Sequence, residues 1–596
     1  MRRLDRSRLP RFLRGRRTER SNQPAFLEGR RIGRSRLPPF LRGRRFDRSR
    51  LPPFLRGVGT DQARWATLLG GLVLVALIVV LIASGGGPDR VPAPEATPQE
   101  RHAGLQSIFQ ADTQLHADPA GTLDILRKLG VDRVRVFVPW SAIAPAPMSA
   151  VRPGGFDPRD PASYPPANWA IYDAIVRDAA ARRIGLDFTL TGLPPLWAAG
   201  RRAPKRGGPY PQWRPSVPAY GAFVRAIATR YGGTYTPAGS SSRLPRVSFW
   251  AIWNEPNYGP DLAPQAIHHS TVEVSPRLYR GLLDAAWSAL RATGHGRDKI
   301  LIGELAPRGI TTGDNPGNFS GMVPLRFLRA LYCVGASYRP LRGAAASARG
   351  CPGDAAGSAA FARLHPALFK AGGFADHPYP QESAPNLATG GEPDYADLPV
   401  LHRLEAVLDT LQRVYGSHTR FPIYSTEYGY RTDPPETGAI APALAAYYLN
   451  WAEYLSWRDS RVRSYDQYLL SDPAAGNFPS GLQFADGKPK PSFDAYRLAL
   501  YLPVGAASPG EPLEVWGHVR AARYARRATG RPQLVEIQFE RGSSGGFQTV
   551  KTLTVKSAYG YFDVRQAFAS SGTVRLAWSD PGGSAVLSRS ASVTIR

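Results

Sequence analysis

Cysteine and histidine are scarce in this chain, which limits the metal and redox chemistry available to it. Its 596 residues include two cysteines and ten histidines, and no group of them has the spacing of metal ligands. Structural zinc sites are built from such groups. The sequence therefore predicts no metal site, and no glycine-rich phosphate-binding turn follows a strand to indicate a nucleotide cofactor.

The two cysteines, Cys333 and Cys351, both lie in a stretch rich in glycine, alanine and arginine, residues 332–352. We interpret this stretch as a long surface excursion. If it lies outside the cell, the two cysteines would close it as a disulfide. The alternative is a pair of unpaired thiols.

Acidic residues are also scarce in the first 65 residues. This segment holds 20 arginines against five acidic residues, and so carries more than half of the formal net charge of +28. It repeats a 14-residue unit that begins at Arg6 and recurs from Arg20, Arg34 and Arg48. Each unit has proline in its middle and glycine near its end, which disfavour both a helix and a core. We predict a disordered, Arg-rich cytoplasmic tail over residues 1–65.

Charged residues are absent from the segment that follows. Residues 66–83 read ATLLGGLVLVALIVVLIA, about the length that crosses the hydrocarbon core of a bilayer. A cleaved signal peptide is the alternative, but its apolar region is shorter and such a peptide does not follow 65 other residues. We predict one transmembrane helix over residues 66–84 and a linker rich in glycine and proline over residues 85–104.

Arginines crowd the N-terminal side of that predicted helix. The positive-inside rule then keeps the tail in the cytoplasm and places everything after the span outside the cell. The arginine repeats would lie against anionic lipid headgroups, and no nucleic-acid partner is expected. The predicted location is the cell membrane, with a single span and an extracellular C-terminal portion.

From residue 105 onward, strands and helices alternate. Eight strands are predicted: Ser107–Ala111, Arg133–Pro139, Gly185–Thr191, Val247–Trp253, Lys299–Glu304, Gly373–His377, Pro422–Glu427 and Ser464–Leu470. Amphipathic segments between them are Pro119–Leu129, Trp169–Arg182, Val217–Tyr231, Arg277–Ala292, Leu398–Tyr415 and Ala441–Trp457. Apolar strands that alternate with helices indicate a parallel sheet. We therefore predict an α/β fold, a (β/α)8 TIM barrel over residues 105–503, with an open doubly wound sheet as the alternative.

After Pro503 the pattern changes to short runs with two-residue alternation, separated by glycine and serine turns. These runs predict a small all-β sandwich over residues 510–596, of immunoglobulin or fibronectin size. The connection to the barrel is only a few residues long, so the sandwich should lie beside the barrel. Its aromatic residues alternate as core residues do, and we favour a structural module over a carbohydrate-binding one.

Two of the predicted barrel strands bring a candidate catalytic glutamate to their C-terminal tips. One is followed by Asn254-Glu255-Pro256-Asn257, and another delivers Glu427. In a TIM barrel, catalytic groups lie at the C-terminal ends of the strands. Hydrolysis of a glycosidic bond needs two carboxyl groups, one to protonate the leaving oxygen and one to attack or to activate water. The pair Glu255 and Glu427 therefore predicts a glycosidase, with the carboxyl groups about 5–5.5 Å apart if the enzyme retains configuration.

The same rule brings further polar and aromatic residues to this end of the barrel. The candidates are Arg135, Trp140, Trp197, Asn254, Glu304, His377, Tyr379 and either Tyr465 or Gln467. Arg135, on an otherwise apolar strand, needs a carboxylate partner. Glu304 and His377 are more typical of fixed hydrogen-bonding groups than of proton donors. Trp197 suits either packing or stacking on a sugar.

The motifs Trp253-Asn-Glu-Pro-Asn257, His377-Pro-Tyr379 and Thr426-Glu-Tyr-Gly429 resemble those of glycoside hydrolase clan A, the retaining barrel glycosidases. The resemblance covers about residues 105–503. It implies that Glu255 is the general acid/base and Glu427 the nucleophile.

The resemblance also implies supporting roles and a substrate class. Asn254 would donate to the sugar 2-hydroxyl, and Arg135 and Tyr379 would hold the Glu427 carboxylate ionised. Trp140, Trp197, His377 and Gln467 would also contact the substrate, an extracellular polysaccharide or glycoside. Clan members often carry a tryptophan at the end of strand eight, and this sequence has Ser464–Tyr468 there. The sugar and the linkage are therefore not predicted.

Two other classes of protein are compatible with parts of the sequence. One is a cell-surface glycan-binding or adhesion protein without turnover, which the intact pair of glutamates disfavours. The other is a membrane-anchored scaffold whose arginine repeats are the functional part. The oligomeric state is not predicted.

Overall fold

The computed structural model describes residues 105–200, 211–267, 272–310, 321–388, 391–475, 478–542 and 545–596. The predicted tail 1–65, span 66–84 and linker 85–104 lie outside the described residues. Among the residues that are described, no helix is both long and apolar enough to cross a membrane.

Eight parallel strands close into a barrel in chain order. They are β1 Gln106–Gln110, β2 Arg133–Pro139, β3 Gly185–Thr191, β4 Phe249–Ile252, β5 Lys299–Leu305, β6 Gly373–Asp376, β7 Ile423–Ser425 and β8 Val462–Tyr468. Parallel pairing of β1 with β8 closes the barrel, with Phe109 opposite Gln467. The predicted (β/α)8 barrel is confirmed, and the open doubly wound sheet is excluded.

Many helices of the barrel region begin with proline at their first or second position: Pro119–Leu129, Pro166–Arg182, Val217–Arg230, Ser275–Ala292, Pro324–Leu331, Pro442–Arg458 and Pro491–Arg497. The other described helices of this region are Asp112–Ala117, Trp140–Ile143, Gly343–Ala348, Ala355–Leu364, Ala367–Lys370 and Leu401–Val414. Proline is favoured there because its fixed φ suits a helix and its missing N–H would have no partner anyway.

Strands β4 and β7 are shorter than predicted, whereas β2 and β3 have the predicted bounds. Two residues just beyond β4, Trp253 and Glu255, have positive φ angles of 73° and 37°. L-residues with such angles cannot continue a strand. The chain therefore leaves the sheet at Ile252, four residues before Pro256.

A small apolar cluster fills the interior of the barrel. It consists of Phe249, Ala251, Leu301, Ala375 and Tyr424, contributed by β4 to β7. The outward-facing residues of the strands pack instead in the large core shared with the helices. Polar groups are concentrated at the C-terminal ends of the strands.

The C-terminal strands form two sheets. The strands are β9 Leu498–Tyr501, β10 Ala506–Ala507, β11 Leu513–Val519, β12 Gln533–Arg541, β13 Gln548–Val555, β14 Tyr561–Gln566, β15 Gly572–Ser579, β16 Ala585–Leu587 and β17 Ala591–Ile595. One sheet has the order β14-β11-β9, and the other the order β10-β17-β15-β12-β13 with β16 beside β15. Residues of both sheets share one apolar core, as expected for a sandwich.

Two details of this region differ from the sequence-based prediction. Strand β9 pairs antiparallel with β11, so residues 498–501 belong to the C-terminal sheets although they fall within the predicted barrel segment 105–503. A helix, Ala522–Thr529, lies between β11 and β12. Its sequence, ARYARRAT, is amphipathic, with Ala522, Tyr524 and Ala525 buried and the arginines more exposed, and the prediction of an all-β module overlooked this helical pattern.

The C-terminal sheets pack directly against the barrel through a buried ion pair. Glu453, on the helix Pro442–Arg458, is 1% exposed and lies 2.6 Å from the guanidinium of Arg520. It also accepts a hydrogen bond from the Tyr561 hydroxyl at 3.0 Å and lies 2.7 Å from Nδ1 of His518. The short connection thus leads to a docked module.

Cys333 and Cys351 form a disulfide, with their Cα atoms 5.6 Å apart. Residues 332–334 are buried, with Cys333 in the main core, but most of the stretch that follows to residue 352 is exposed or half-buried, as expected of a surface excursion. Arg280 donates hydrogen bonds to the Leu331 and Gly350 carbonyls, which ties both sides of the stretch to the helix Ser275–Ala292.

Candidate active site

The loop after β4 is held in a strained conformation and tied to β5. The backbone N–H of Glu255 donates to the carbonyl of Glu304 at 2.9 Å. Asn257 donates to the Ala306 and Met322 carbonyls and accepts from the Ala306 N–H. Positive φ in a residue other than glycine costs about 1–3 kcal/mol and is concentrated at functional sites. Glu255 and Glu304 both have such angles, so the backbone conformation of this junction is already typical of a functional site.

Arg135, on β2, is the centre of the site's hydrogen-bond network. It is fully buried and donates to Gln110 at 2.6 Å, Asn254 at 2.9 Å and Glu304 at 2.5 Å, and it also donates to Glu427. Burial opposes its charge, but the carboxylates of Glu304 and Glu427 raise its pKa above the usual range. The partner that the sequence required for Arg135 is thus a pair of carboxylates.

Glu427, just past β7, receives hydrogen bonds on both of its oxygens. Arg135 donates to Oε1, and the hydroxyl of Tyr379 donates to Oε2 at 3.1 Å. Burial and the Glu427 charge raise the pKa of Tyr379 well above its usual range, so this hydroxyl keeps its proton. The side chain of Glu427 is 10% exposed, whereas that of Glu304 is fully buried.

His377, past the end of β6, connects the remaining carboxylates. Its Nδ1 lies 2.9 Å from Oε1 of Glu255, and its Nε2 lies 3.1 Å from Oε2 of Glu304. Burial disfavours the imidazolium, but the Glu427, Glu255 and Glu304 carboxylates outweigh it and raise the pKa of His377 to about 10. Both ring nitrogens can then donate. His377 is a fixed hydrogen-bond donor, as the sequence predicted.

Glu304 has no access to solvent and acts as an acceptor. Besides Arg135 and His377, the hydroxyl of Thr426 donates to it at 3.1 Å. Burial alone would raise the pKa of Glu304, but Arg135 and His377 lower it below its ordinary value. An ionised, inaccessible carboxylate suits the hydrogen-bonding role expected for it.

Carboxylate oxygens of Glu255 and Glu427 and a ring nitrogen of His377 all lie within 4.8 Å of one another. The hydrogen bond from His377 to Glu255 and the 3.6 Å approach of His377 to Glu427 account for this closeness. The side chain of Glu255 is 19% exposed. Two partly exposed carboxylates thus lie close together at the C-terminal end of the barrel.

Asp261 is an acidic residue beside the site that the sequence analysis did not select. Asp261 lies in the loop that follows Asn257, and its Oδ2 accepts a hydrogen bond from Nδ2 of Asn254 at 3.1 Å. Burial and the neighbouring Glu255 carboxylate raise the pKa of Asp261 well above its ordinary value. No strand or spacing pattern leads to this residue, because it enters the site through the fold of an irregular loop.

Trp140 needs correction as a substrate-binding candidate, and Trp197 has a packing role, one of the two roles expected of it. Trp140 is fully buried, and its ring stacks on Phe223 at 5.4 Å. Trp197 is half-buried, packs edge-on against Trp140 at 5.9 Å and Phe156 at 5.8 Å, and donates from Nε1 to the Pro145 carbonyl. The position of Trp140 past a strand end suggested the site, but its side chain turns toward the surrounding helices.

The candidates on β8 are also structural. Gln467 is fully buried and donates to the carbonyls of Tyr468 and Ser480, which fixes the loop after β8. Tyr465 donates to the Leu449 carbonyl on an outer helix. Where the resemblance expects a tryptophan, Tyr468 lies beside Phe478, with ring centroids 5.8 Å apart, and Phe478 also packs edge-on against Tyr379. Neither aromatic residue was selected from the sequence.

Comparison with solved structures found barrel glycosidases of low identity. They include a family 39 glycoside hydrolase from Bacteroides cellulosilyticus WH2 (16% identity, 80% of this chain and 83% of that chain, TM-score 0.41). A family 1 β-glucosidase from Thermotoga maritima also matches (14%, 67% and 97%, TM-score 0.40), as does an exo-β-1,4-mannosidase from an Opitutaceae bacterium (14%, 66% and 58%, TM-score 0.35). No protein-family model and no curated protein matches the chain. At these values the likenesses do not by themselves assign an activity to this chain.

Proposed function

We propose that the protein is a retaining glycoside hydrolase that cleaves O-glycosidic bonds by double displacement. The observation that carries this proposal is the pair of accessible carboxylates of Glu255 and Glu427, whose oxygens approach within 4.8 Å. Retaining enzymes hold their two carboxyl groups about 5–5.5 Å apart, whereas inverting enzymes need about 6.5–9.5 Å to admit a water molecule. The close approach favours the retaining route.

The surroundings of the two glutamates support different roles for them. Glu427 would attack the anomeric carbon, with Arg135 and Tyr379 holding its two oxygens in position. Glu255 would donate a proton to the departing oxygen and then remove a proton from the incoming water. His377 would orient the Glu255 carboxyl through its Nδ1.

We propose a carbohydrate substrate outside the cell, a polysaccharide or a smaller glycoside. The predicted span over residues 66–84 and the arginine-rich segment before it support this location. The predicted contact of the arginine repeats with anionic headgroups belongs to the same proposal.

The first test compares the wild-type protein with Glu427→Ala and Glu255→Ala on a panel of p-nitrophenyl glycosides. We expect Glu427→Ala to lose essentially all turnover, because no covalent intermediate can form. With an activated substrate and azide, Glu255→Ala should give a glycosyl azide of retained configuration. Any glycosyl azide formed by Glu427→Ala should have inverted configuration.

Two results would contradict the proposal. A wild-type protein that binds glycans but hydrolyses no glycoside of a broad panel would indicate the glycan-binding alternative. A retained product from Glu427→Ala would place the nucleophile on another residue.

A further inference from the structure

The orientation of the Asn254 amide is fixed by two neighbours of opposite hydrogen-bonding character. Arg135 has only donors, so the group that it faces at 2.9 Å must be the amide oxygen. The amide nitrogen therefore points the other way, where Oδ2 of Asp261 accepts from it at 3.1 Å. The chemistry of the two partners therefore fixes which end of the amide carries the oxygen and which the nitrogen.

An amide nitrogen carries two protons, and Asp261 takes one of them. Asn254 is 7% exposed and directly precedes Glu255 in the chain, so the second proton is available beside the reacting groups. Without Asp261, rotation of the amide would be limited only by Arg135. The direction of the second N–H would then not be fixed.

We propose that Asp261 is a positioning residue that aims the free N–H of Asn254 at a sugar hydroxyl next to the scissile bond. The proposal rests on the glycosidase function proposed above. Asp261 can do this in either protonation state, because a protonated carboxyl group still has an accepting oxygen. Loss of Asp261 should therefore slow the hydrolysis of substrates that carry this hydroxyl and leave substrates without it unaffected.

The geometry also explains why the supporting group lies in a loop. The loop returns to the site through two short turns, in which Tyr258 N–H donates to the Glu255 carbonyl and Asp261 N–H donates to the Tyr258 carbonyl. These turns bring residue 261 back to residue 254, so the hydrogen bond between the two side chains spans the proposed acid/base residue Glu255. Because this hydrogen bond is local, a change at Asp261 can alter Asn254 without dismantling the barrel.

The test measures kcat/KM for a p-nitrophenyl glycoside that the wild-type protein hydrolyses and for its 2-deoxy analogue. The readout is kcat/KM for the glycoside divided by kcat/KM for its 2-deoxy analogue. This ratio reports recognition of the 2-hydroxyl alone. We expect Asp261→Ala to lower this ratio by about tenfold, the loss of one hydrogen bond in the transition state. Asp261→Asn should keep most of the ratio, because its amide oxygen can still accept from Asn254. The exposed Asp486 supplies the matched control Asp486→Asn, which should leave the ratio unchanged.

Two further variants distinguish positioning from other roles. Asp261→Glu keeps the carboxyl group and moves the acceptor by one methylene, so it should lower the ratio while it folds normally. In an Asn254→Ala background, Asp261→Ala should change the ratio no further, since there is no amide left to orient.

Several outcomes would overturn the proposal. An unchanged ratio in both Asp261→Ala and Asp261→Glu would reduce Asp261 to a structural role, and a further fall in the Asn254→Ala background would mean that Asp261 contacts the substrate itself. If wild-type protein hydrolyses no glycoside, the proposed function fails and this proposal fails with it. If wild-type protein is active, Glu427→Ala is inactive and the ratio does not respond to residue 261, only this proposal fails.

Discussion

Arg135 shows how much chemistry a single side chain can organise. A buried guanidinium is stabilised only when its charge is balanced. Glu304 and Glu427 balance the charge of Arg135, and the same contacts hold the proposed nucleophile in place. A residue that the sequence marked as anomalous is therefore also the residue that links β2, β5 and β7.

A substitution at Glu304 can distinguish a residue that supports the site from one that reacts. Glu304→Gln removes a charge that Arg135 and His377 both contact, but it leaves the two accessible carboxyl groups intact. We expect kcat to fall by about 10–100-fold, comparable to one charge-assisted hydrogen bond, and not to vanish. Azide should not restore the rate.

Steady-state kinetics of Glu304→Gln beside Glu427→Ala checks this prediction, with Glu511→Gln on the exposed surface as a control. Complete loss of turnover in Glu304→Gln, together with rescue by azide, would make Glu304 a reacting group.

At the level of secondary-structure elements, the helix Pro442–Arg458 has two faces with different tasks. One face packs on the barrel, where Leu449 accepts a hydrogen bond from Tyr465 of β8. The other carries Glu453 to the C-terminal sheets, where Arg520 and Tyr561 meet it. A charge inside an interface is costly unless it is paired, so this contact favours one docking position.

Glu453→Gln tests that interface. It leaves the buried Arg520 without a counter-charge, and we expect the free energy of unfolding to fall by about 3–5 kcal/mol at pH 7. Although burial disfavours its charge, Arg520 and His518 lower the pKa of Glu453 from 4.5 to about 2. A group whose pKa is depressed by folding stabilises the protein above its unfolded pKa, and that contribution is lost as pH falls toward the folded pKa.

The difference in unfolding free energy between wild type and Glu453→Gln should therefore shrink between about pH 5 and pH 2. Denaturant titrations at several pH values measure it, and Glu511→Gln provides the matched control. A difference that does not vary with pH would mean that the charge of Glu453 contributes nothing to stability.

The element that the sequence placed least well is β9. The run Leu498-Ala-Leu-Tyr501 directly follows the last barrel helix, and its apolar character fits a barrel segment as well as a sheet strand. Its partner, β11, begins 12 residues after β9 ends. Local patterning cannot choose between these two environments, because both bury the same side chains.

At the scale of the whole molecule, the C-terminal sheets should act as a structural part of the barrel. Deletion of residues 510–596 removes β11 from β9 and exposes the rings of Tyr454 and Trp457, which pack against Trp516 in the full chain. We expect lower soluble yield and a lower melting temperature, with nearly unchanged polysaccharide affinity in any folded protein.

Binding to insoluble polysaccharide and hydrolysis of small aryl glycosides, measured on the same preparation, check this prediction. A shorter chain that ends at residue 497 serves as a comparison, because it also removes the unpaired strand β9. If the deletion abolished polysaccharide binding and spared hydrolysis of aryl glycosides, the C-terminal sheets would instead be a carbohydrate-binding module.

The predicted membrane topology is the last expectation at this scale. The uncharged run 66–83 and the arginines before it predict a single span with the barrel outside the cell. Protease added to intact cells should remove the barrel and spare the arginine repeats, as followed with antibodies to each end. Loss of the repeats with a protected barrel would reverse the topology.

The sequence by itself determined the barrel, the two glutamates and their principal supports. This was possible because buried parallel strands read as continuous apolar runs, and because a barrel presents the ends of all its strands on one face. Arg135, His377 and Tyr379 could be selected for the same reason.

Only the tertiary structure decided which way Trp140 and Gln467 point, to which sheet residues 498–501 belong, and that Asp261 reaches Asn254. Those features depend on the path of irregular loops and on packing between distant segments. Neither leaves a period or a spacing in the sequence.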